Sequence, residues 1–239
     1  MPLNEYGLWM AAGISGLVAY WIPGLAYWIG SGKCGEPVHC SFRLKPLSRV
    51  FFAIFAAGLS WTVQWKLGTG WESWMATVLV WLLLVIALTD ICFFLIPDVV
   101  TYSGFFLFMS WRFFVDAANM PVYLAGGFFI TSGLSLVSWI SRGLGWGDVK
   151  LVAMASWVVE WPQLLLSIWF ATLSSMLHVA GRLRSRGRAA VREPLPFGPH
   201  LAAGMFLSLL CGDVLRDWYG EQFLQFFLPC FGSIVPMNS

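Results

Sequence analysis

The stretch VLVWLLLVIALTDICFFLIPD, residues 78–98, decides how this chain is read. It is continuously apolar rather than alternating, which excludes the polar-in, apolar-out strand of a membrane barrel. A helix needs about 20 mostly apolar residues to cross hydrocarbon, and this run reaches that length. Its first charge is Asp90, and it closes on Pro97-Asp98. A bilayer interior accepts helices or closed barrels only, because lipid cannot satisfy free backbone groups. The run is therefore a membrane-spanning helix.

Working outward, the same pattern repeats. Leu8 to Gly32, Val50 to Trp65, Val99 to Trp111, Ala117 to Ser141, Leu151 to Val159, Trp161 to Gly181 and Leu201 to Gly212 carry no charge. Charged residues are 11% of the chain and apolar residues 59%, against roughly 25% and 45–50% in an average soluble domain. The fold class is all-α, a polytopic membrane helix bundle of about eight transmembrane helices. Their expected spans are near 7–29, 50–65, 73–96, 99–116, 121–141, 149–160, 162–181 and 199–213. The second and sixth are short. The first run lacks a basic start and outlasts a signal-peptide core, so it reads as an uncleaved span. Residues 1–72 form N-terminal spans with a short basic loop, and 73–215 form the catalytic membrane-helix core. Residues 216–239 form a tail that crosses, skims or leaves the membrane.

Basic residues set the orientation. Loops after the first, third, fifth and seventh spans carry Lys33, Arg43, Lys45, Arg49, Arg142, Lys150, Arg182, Arg184, Arg186, Arg188 and Arg192, which is 11 of the 14 Lys and Arg. That side is cytoplasmic, so the N-terminus faces the periplasm. The cluster from Arg182 to Arg192 anchors its loop to anionic lipid, with docking of an assembly protein as the alternative. Nothing in the charge pattern calls for nucleic acid. Five cysteines (Cys34, Cys40, Cys92, Cys211, Cys230) form no even disulfide framework.

Four carboxylates lie in or beside the middle spans: Asp90, Asp98, Asp148 and, less centrally, Asp116. A carboxylate at the depth of Asp90 costs several kcal/mol unless it is protonated, paired or hydrated. Its ordinary role would be a polar contact between helices. Asp98 follows Pro97 and could simply N-cap the fourth span. Asp148 lies in GLGWGDVKL, residues 143–151, whose alternating glycines permit a tight turn and close helix approach. It could likewise be an N-cap, and Lys150 is placed either to pair with it or to snorkel. Two isolated carboxylates on different helices near one membrane face suggest acid–base hydrolysis. Like charges side by side oppose each other's ionisation, so such a pair shares one proton. One carboxylate then activates water while its protonated partner polarises the scissile carbonyl. His39, His178 and His200 are scattered, and no Ser–His–Asp or Cys–His set is present. The reading from another class is a proton-coupled transporter using the two aspartates as a relay. Inverted repeats would support it, and none is visible.

Asp90-Ile-Cys-Phe-Phe-Leu-Ile-Pro97-Asp98 with Thr101 resembles the pattern of the type IV prepilin peptidase family. GLGWGDVKL resembles that family's Gly-x-Gly-x-Gly-Asp-x-Lys-Leu motif, which names the wider GxGD intramembrane aspartyl proteases. Leu195-Pro196-Phe197-Gly198-Pro199 with Leu201-Ala202 resembles a third segment. The three occur in the family's order. The resemblance implies that Asp90 and Asp148 are catalytic. It further implies that Pro97, Asp98, Gly145, Gly147, Lys150, Pro196, Phe197, Gly198 and Pro199 support the site, and that no cofactor is required. It implies about eight spans in the bacterial inner membrane and an active site at the cytoplasmic face. The implied substrates are type IV prepilins or pseudopilins, cut after a Gly where a short basic leader meets a hydrophobic helix. Membrane lipids are implied partners, and the docking alternative above adds pilus or secretion assembly machinery.

The chain departs from the family in one loop. Many members carry two zinc-binding Cys-x-x-Cys pairs there, linked with N-methylation of the new N-terminus. Here Cys34 and Cys40, with His39 between them, are the weak metal candidates, short of a closed four-ligand site. That loss weighs against N-methylation and leaves peptidase activity untouched.

Overall fold

The computed structural model describes residues 5–34, 46–141, 144–186 and 195–212. Described residues outside turns are helical: α1 (Glu5–Cys34), α2 (Pro46–Leu67), α3 (Trp71–Phe93), α4 (Asp98–Val115), α5 (Met120–Ser141), α6 (Trp146–Ala155), α7 (Trp161–Arg186) and α8 (Gly198–Gly212). Five of them, α1, α2, α3, α5 and α7, are long and apolar enough to cross a membrane. The chain is a multi-pass membrane helix bundle, as its charge-free runs require. The second helix, expected over 50–65, runs from Pro46 to Leu67, with Arg49 in its first turn. The tail at 216–239 and most of the loop carrying Cys40 lie outside the described residues.

α3 is the central element. Its buried side chains include Met75, Ala76, Val80, Thr77 and Val85, which point in different directions around the helix. A helix apolar on every face is one packed on several sides. α1 and α2 pack on one side of α3, and α4 on another, with α6 between α4 and α5. By contrast α5 and α7 expose Phe128, Phe129, Trp139, Trp169 and Leu177. In a bilayer those side chains meet lipid, which is as apolar as they are.

The apolar run ends at residue 96, but the helix stops three residues earlier. Phe94 adopts a left-handed conformation (φ 51°), and its N–H closes the last turn onto the Asp90 carbonyl at 2.9 Å. Such a backbone costs a non-glycine residue of order 1–3 kcal/mol and persists only where its surroundings impose it. Pro97 then sits in extended geometry (φ −72°, ψ 122°) and α4 starts at once. The chain thus passes from α3 to α4 through four residues, 94–97, that begin four positions after Asp90.

α6 has 10 residues, so its helix is about 15 Å long, half of a hydrocarbon core. The turn that follows carries the chain on to Glu160. Glu160 lines one cleft with Glu72, at the start of α3, and Asn119, between α4 and α5. The turn is held there by Arg112 of α4, whose Nε and Nη2 donate to the Trp157 carbonyl at 3.2 and 3.0 Å.

Candidate active site

Three chain segments meet at the end of the bundle opposite that cleft. α3 carries Asp90 on its last turn, α6 carries Asp148 on its first, and the entry to α8 closes over them. Both aspartates are buried, at 6% and 8% exposure, although their helices end here. Their carboxylates lie within Coulombic reach of each other.

Asp148 does not cap its helix. Gly145 occupies the N-cap position (φ −69°, ψ 141°), no side chain caps α6, and the Gly145 carbonyl accepts the Asp148 N–H at 3.1 Å. The glycine turn lets the helix begin at Trp146, which carries Asp148 inside the first turn and points it inward. Its Oδ1 is buried with no hydrogen-bond partner. A group left so is expensive unless it has a task or a bound water or substrate to meet. Gly147 lets α6 seat against the segment between α3 and α4: a Cβ there would lie 2.9 Å from the Ile96 Cβ.

The third segment touches Asp90 directly. The Gly198 N–H donates to Asp90 Oδ2 at 2.7 Å. That amide is one of the N–H groups at the start of α8 with no partner inside the helix, a natural place for a carboxylate. Pro199 follows in the first turn, where its missing N–H costs nothing. Pro196 lies in the non-helical entry, and Phe197 packs against the core while its carbonyl accepts the Leu201 N–H at 3.0 Å. A Cβ at 198 would stand 2.8 Å from Asp90 Oδ2 and 3.2 Å from its Cβ and Cγ. Only glycine fits.

Asp98 is not an N-cap either. Pro97 holds that position, and no side chain caps α4. Asp98 Oδ1 instead accepts from Lys150 Nζ at 2.7 Å, and the ammonium lies 5.2 Å from the centre of the Tyr102 ring. Lys150 pairs with Asp98 and not with Asp148, the first of the two placements open to it. It ties the start of α4 to α6 beside the aspartates.

Asp116 lies at the other end of the bundle, paired with Arg112 Nη1 at 3.0 Å. Sequence reading missed Arg112 as a structural centre. It is 1% exposed and its guanidinium carbon stands 3.6 Å from the centre of the Tyr123 ring. The signal was there: a cation closing an apolar run, four residues before an aspartate, the spacing of neighbours on a helix.

Among the described residues, no group of three or more His, Cys, Asp or Glu is arranged to hold a metal ion. Cys34 is described only as the last residue of α1, and Cys40 and Gly143 lie outside the described residues. The donor set Cys34, His39 and Cys40 does not supply the four ligands of a closed zinc site. Cys211 is a free, exposed thiol, whereas Cys92 is disulfide-bonded.

A sequence profile of the type IV leader peptidase family matches residues 77–180, which contain both aspartates. Over 203 residues the chain is 33% identical to a prepilin leader peptidase/N-methyltransferase of Bacillus subtilis, covering 83% of this chain and 78% of the relative. It is 31% identical over 204 residues to one of Pseudomonas aeruginosa, covering 83% and 69%. A 97-residue segment is 35% identical to the leader peptidase HopD of Salmonella typhimurium, covering 38% of this chain and 62% of that one. No solved structure matches the chain. Motif order, helix architecture and these relatives agree: the chain belongs to the type IV leader peptidase family and is a multi-pass membrane peptidase.

Proposed function

We propose that this protein is an intramembrane aspartyl endopeptidase that removes the short basic leader from type IV prepilins or pseudopilins, with Asp90 and Asp148 as its catalytic pair. The observation that carries the proposal is the meeting of two buried carboxylates from different helices at one end of the bundle, one of them gripped by the Gly198 amide. In this reading the pair shares one proton, because two carboxylates in Coulombic reach do not both ionise readily. The ionised member takes a proton from water as it attacks the scissile carbonyl. The protonated member donates to the carbonyl oxygen and later to the leaving amine. The unpartnered Oδ1 of Asp148 offers the attacking water an acceptor.

Residues 73–215 are the catalytic core in this proposal, with 1–72 as supporting N-terminal spans and 216–239 as a tail. The bacterial inner membrane is its site, with the N-terminus periplasmic and the aspartates at the cytoplasmic face. Eleven of 14 Lys and Arg fall in the loops on that side, which supports the orientation. A leader that stays in the cytoplasm, joined to a helix that lies in the bilayer, puts the scissile bond at that face. A Gly at the junction makes the helix end easier to fray. Family membership favours peptidase chemistry over a proton relay built on the same aspartates.

The test is co-expression with a prepilin whose basic leader ends in Gly, scored by leader removal on a gel. Asp90→Ala and Asp148→Ala are each expected to lower processing at least about 1,000-fold, as loss of one member of a catalytic unit does, while the protein still inserts. Normal processing by Asp90→Ala would overturn the pair and move attention to Asp98.

A further inference from the structure

Two histidines outside the catalytic proposal meet on the same end of the bundle as Asp90. His178 comes from α7 and His200 from the first turn of α8, two residues after Gly198. His178 Nδ1 and His200 Nε2 are 3.1 Å apart. On its other side, His200 Nδ1 is hydrogen-bonded to the hydroxyl of Ser174, which lies one turn before His178 on α7. His178 is exposed and His200 half-buried, so the facing nitrogens are reachable from outside the bundle.

We propose that His178 and His200 form a binding site for a divalent transition-metal ion of the zinc class, bridging α7 and α8. Imidazole nitrogens suit zinc, copper and nickel. Zinc binds histidine nitrogen at about 2.0–2.1 Å with tetrahedral geometry, which sets two nitrogens on one ion roughly 3.3 Å apart. The observed separation is within a few tenths of an ångström of that, and the exposed His178 ring is free to turn its lone pair toward the shared point. The hydroxyl of Ser174 stands where a metal-bound histidine ordinarily directs its second nitrogen. A proton on Nδ1 given to Ser174 leaves Nε2 as the ligand atom and holds the ring in place. The ion takes the place of the hydrogen bond between the facing nitrogens, and the proton of that bond moves to Nε2 of His178, so neutral rings load without net proton release. With two protein ligands, water completes the coordination and the site is exchangeable rather than permanent. An ion there cross-links α7 to the turn whose Gly198 amide grips Asp90.

The test uses the full chain in detergent, stripped with a chelator and titrated with a zinc salt, with bound zinc counted by equilibrium dialysis. Wild type is expected to bind one zinc more than His178→Ala and one more than His200→Ala. Ser174→Ala should weaken that zinc by roughly 10–100-fold, the usual effect of losing an orienting partner. Magnesium, which prefers oxygen, should not compete. His178→Ala alters only an exposed ring, and its leader-removal rate in chelator, equal to wild type, shows that it is folded. Equal zinc binding by wild type and His178→Ala would overturn the proposal, and so would a wild type that binds none.

Discussion

The backbone N–H of Gly198 holds Asp90 Oδ2 at 2.7 Å across 108 positions of sequence. This contact joins the last turn of α3 to the first of α8 and sets one rotamer for a buried carboxylate. It also leaves no volume for a side chain at 198.

Gly198→Ala is therefore expected to slow leader removal sharply. Its Cβ would lie 2.8 Å from Asp90 Oδ2, so the carboxylate or the start of α8 must move. A displacement near 1 Å at a reacting group costs about 100-fold in rate. Gly145→Ala should cost less, since its Cβ would stand 3.1 Å from Asp148 Oδ2, an oxygen at the end of a side chain. Initial rates of leader removal by the two variants, compared at equal expression, check the order.

Under the proposed mechanism Asp98 and Lys150 position rather than react. Their 2.7 Å pair is about one-third to one-half exposed, the class of ion pair worth about 0–1 kcal/mol. Asp98→Asn and Lys150→Met should each slow processing by only a few-fold. The double variant should be no worse than either alone, because both remove one interaction. Additive losses in that cycle would show that the two residues act separately.

Arg112 should matter for stability and not for chemistry. Its guanidinium, 1% exposed, satisfies the Trp157 carbonyl twice and pairs with Asp116. Arg112→Ala takes both donors from that carbonyl and the ion pair from Asp116, which keeps Asn119 Nδ2 as a donor, a loss of about 1–3 kcal/mol. Arg112→Lys keeps the charge but not the planar fork, and should recover only part. Thermal melting in detergent would report both. The fraction that remains folded should process substrate at the normal rate.

N-methylation is expected to be absent from the product. The relatives are named peptidase/N-methyltransferases, but this chain lacks the two Cys-x-x-Cys pairs that the family links with methylation. Intact mass of the processed pilin, read at its new N-terminus, decides it: cleavage without an added methyl group is the expected result.

Composition and continuous apolar runs were enough to establish a helical membrane bundle, because lipid leaves a chain no other way to satisfy its backbone. Asp90 and Asp148 also stood out along the chain, since a carboxylate in or beside an apolar span is rare enough to need a reason. What the linear order could not contain was who meets whom. For Asp98 and Asp148 a helix cap was the ordinary alternative, yet Pro97 and Gly145 hold those positions and both carboxylates turn elsewhere. Lys150, two residues from Asp148, reaches across to Asp98. Arg112 drew no reading along the chain and is the buried clasp of the turn after α6. Caps and partners such as these depend on where helices start and cross, and only packing in three dimensions settles that to within a residue.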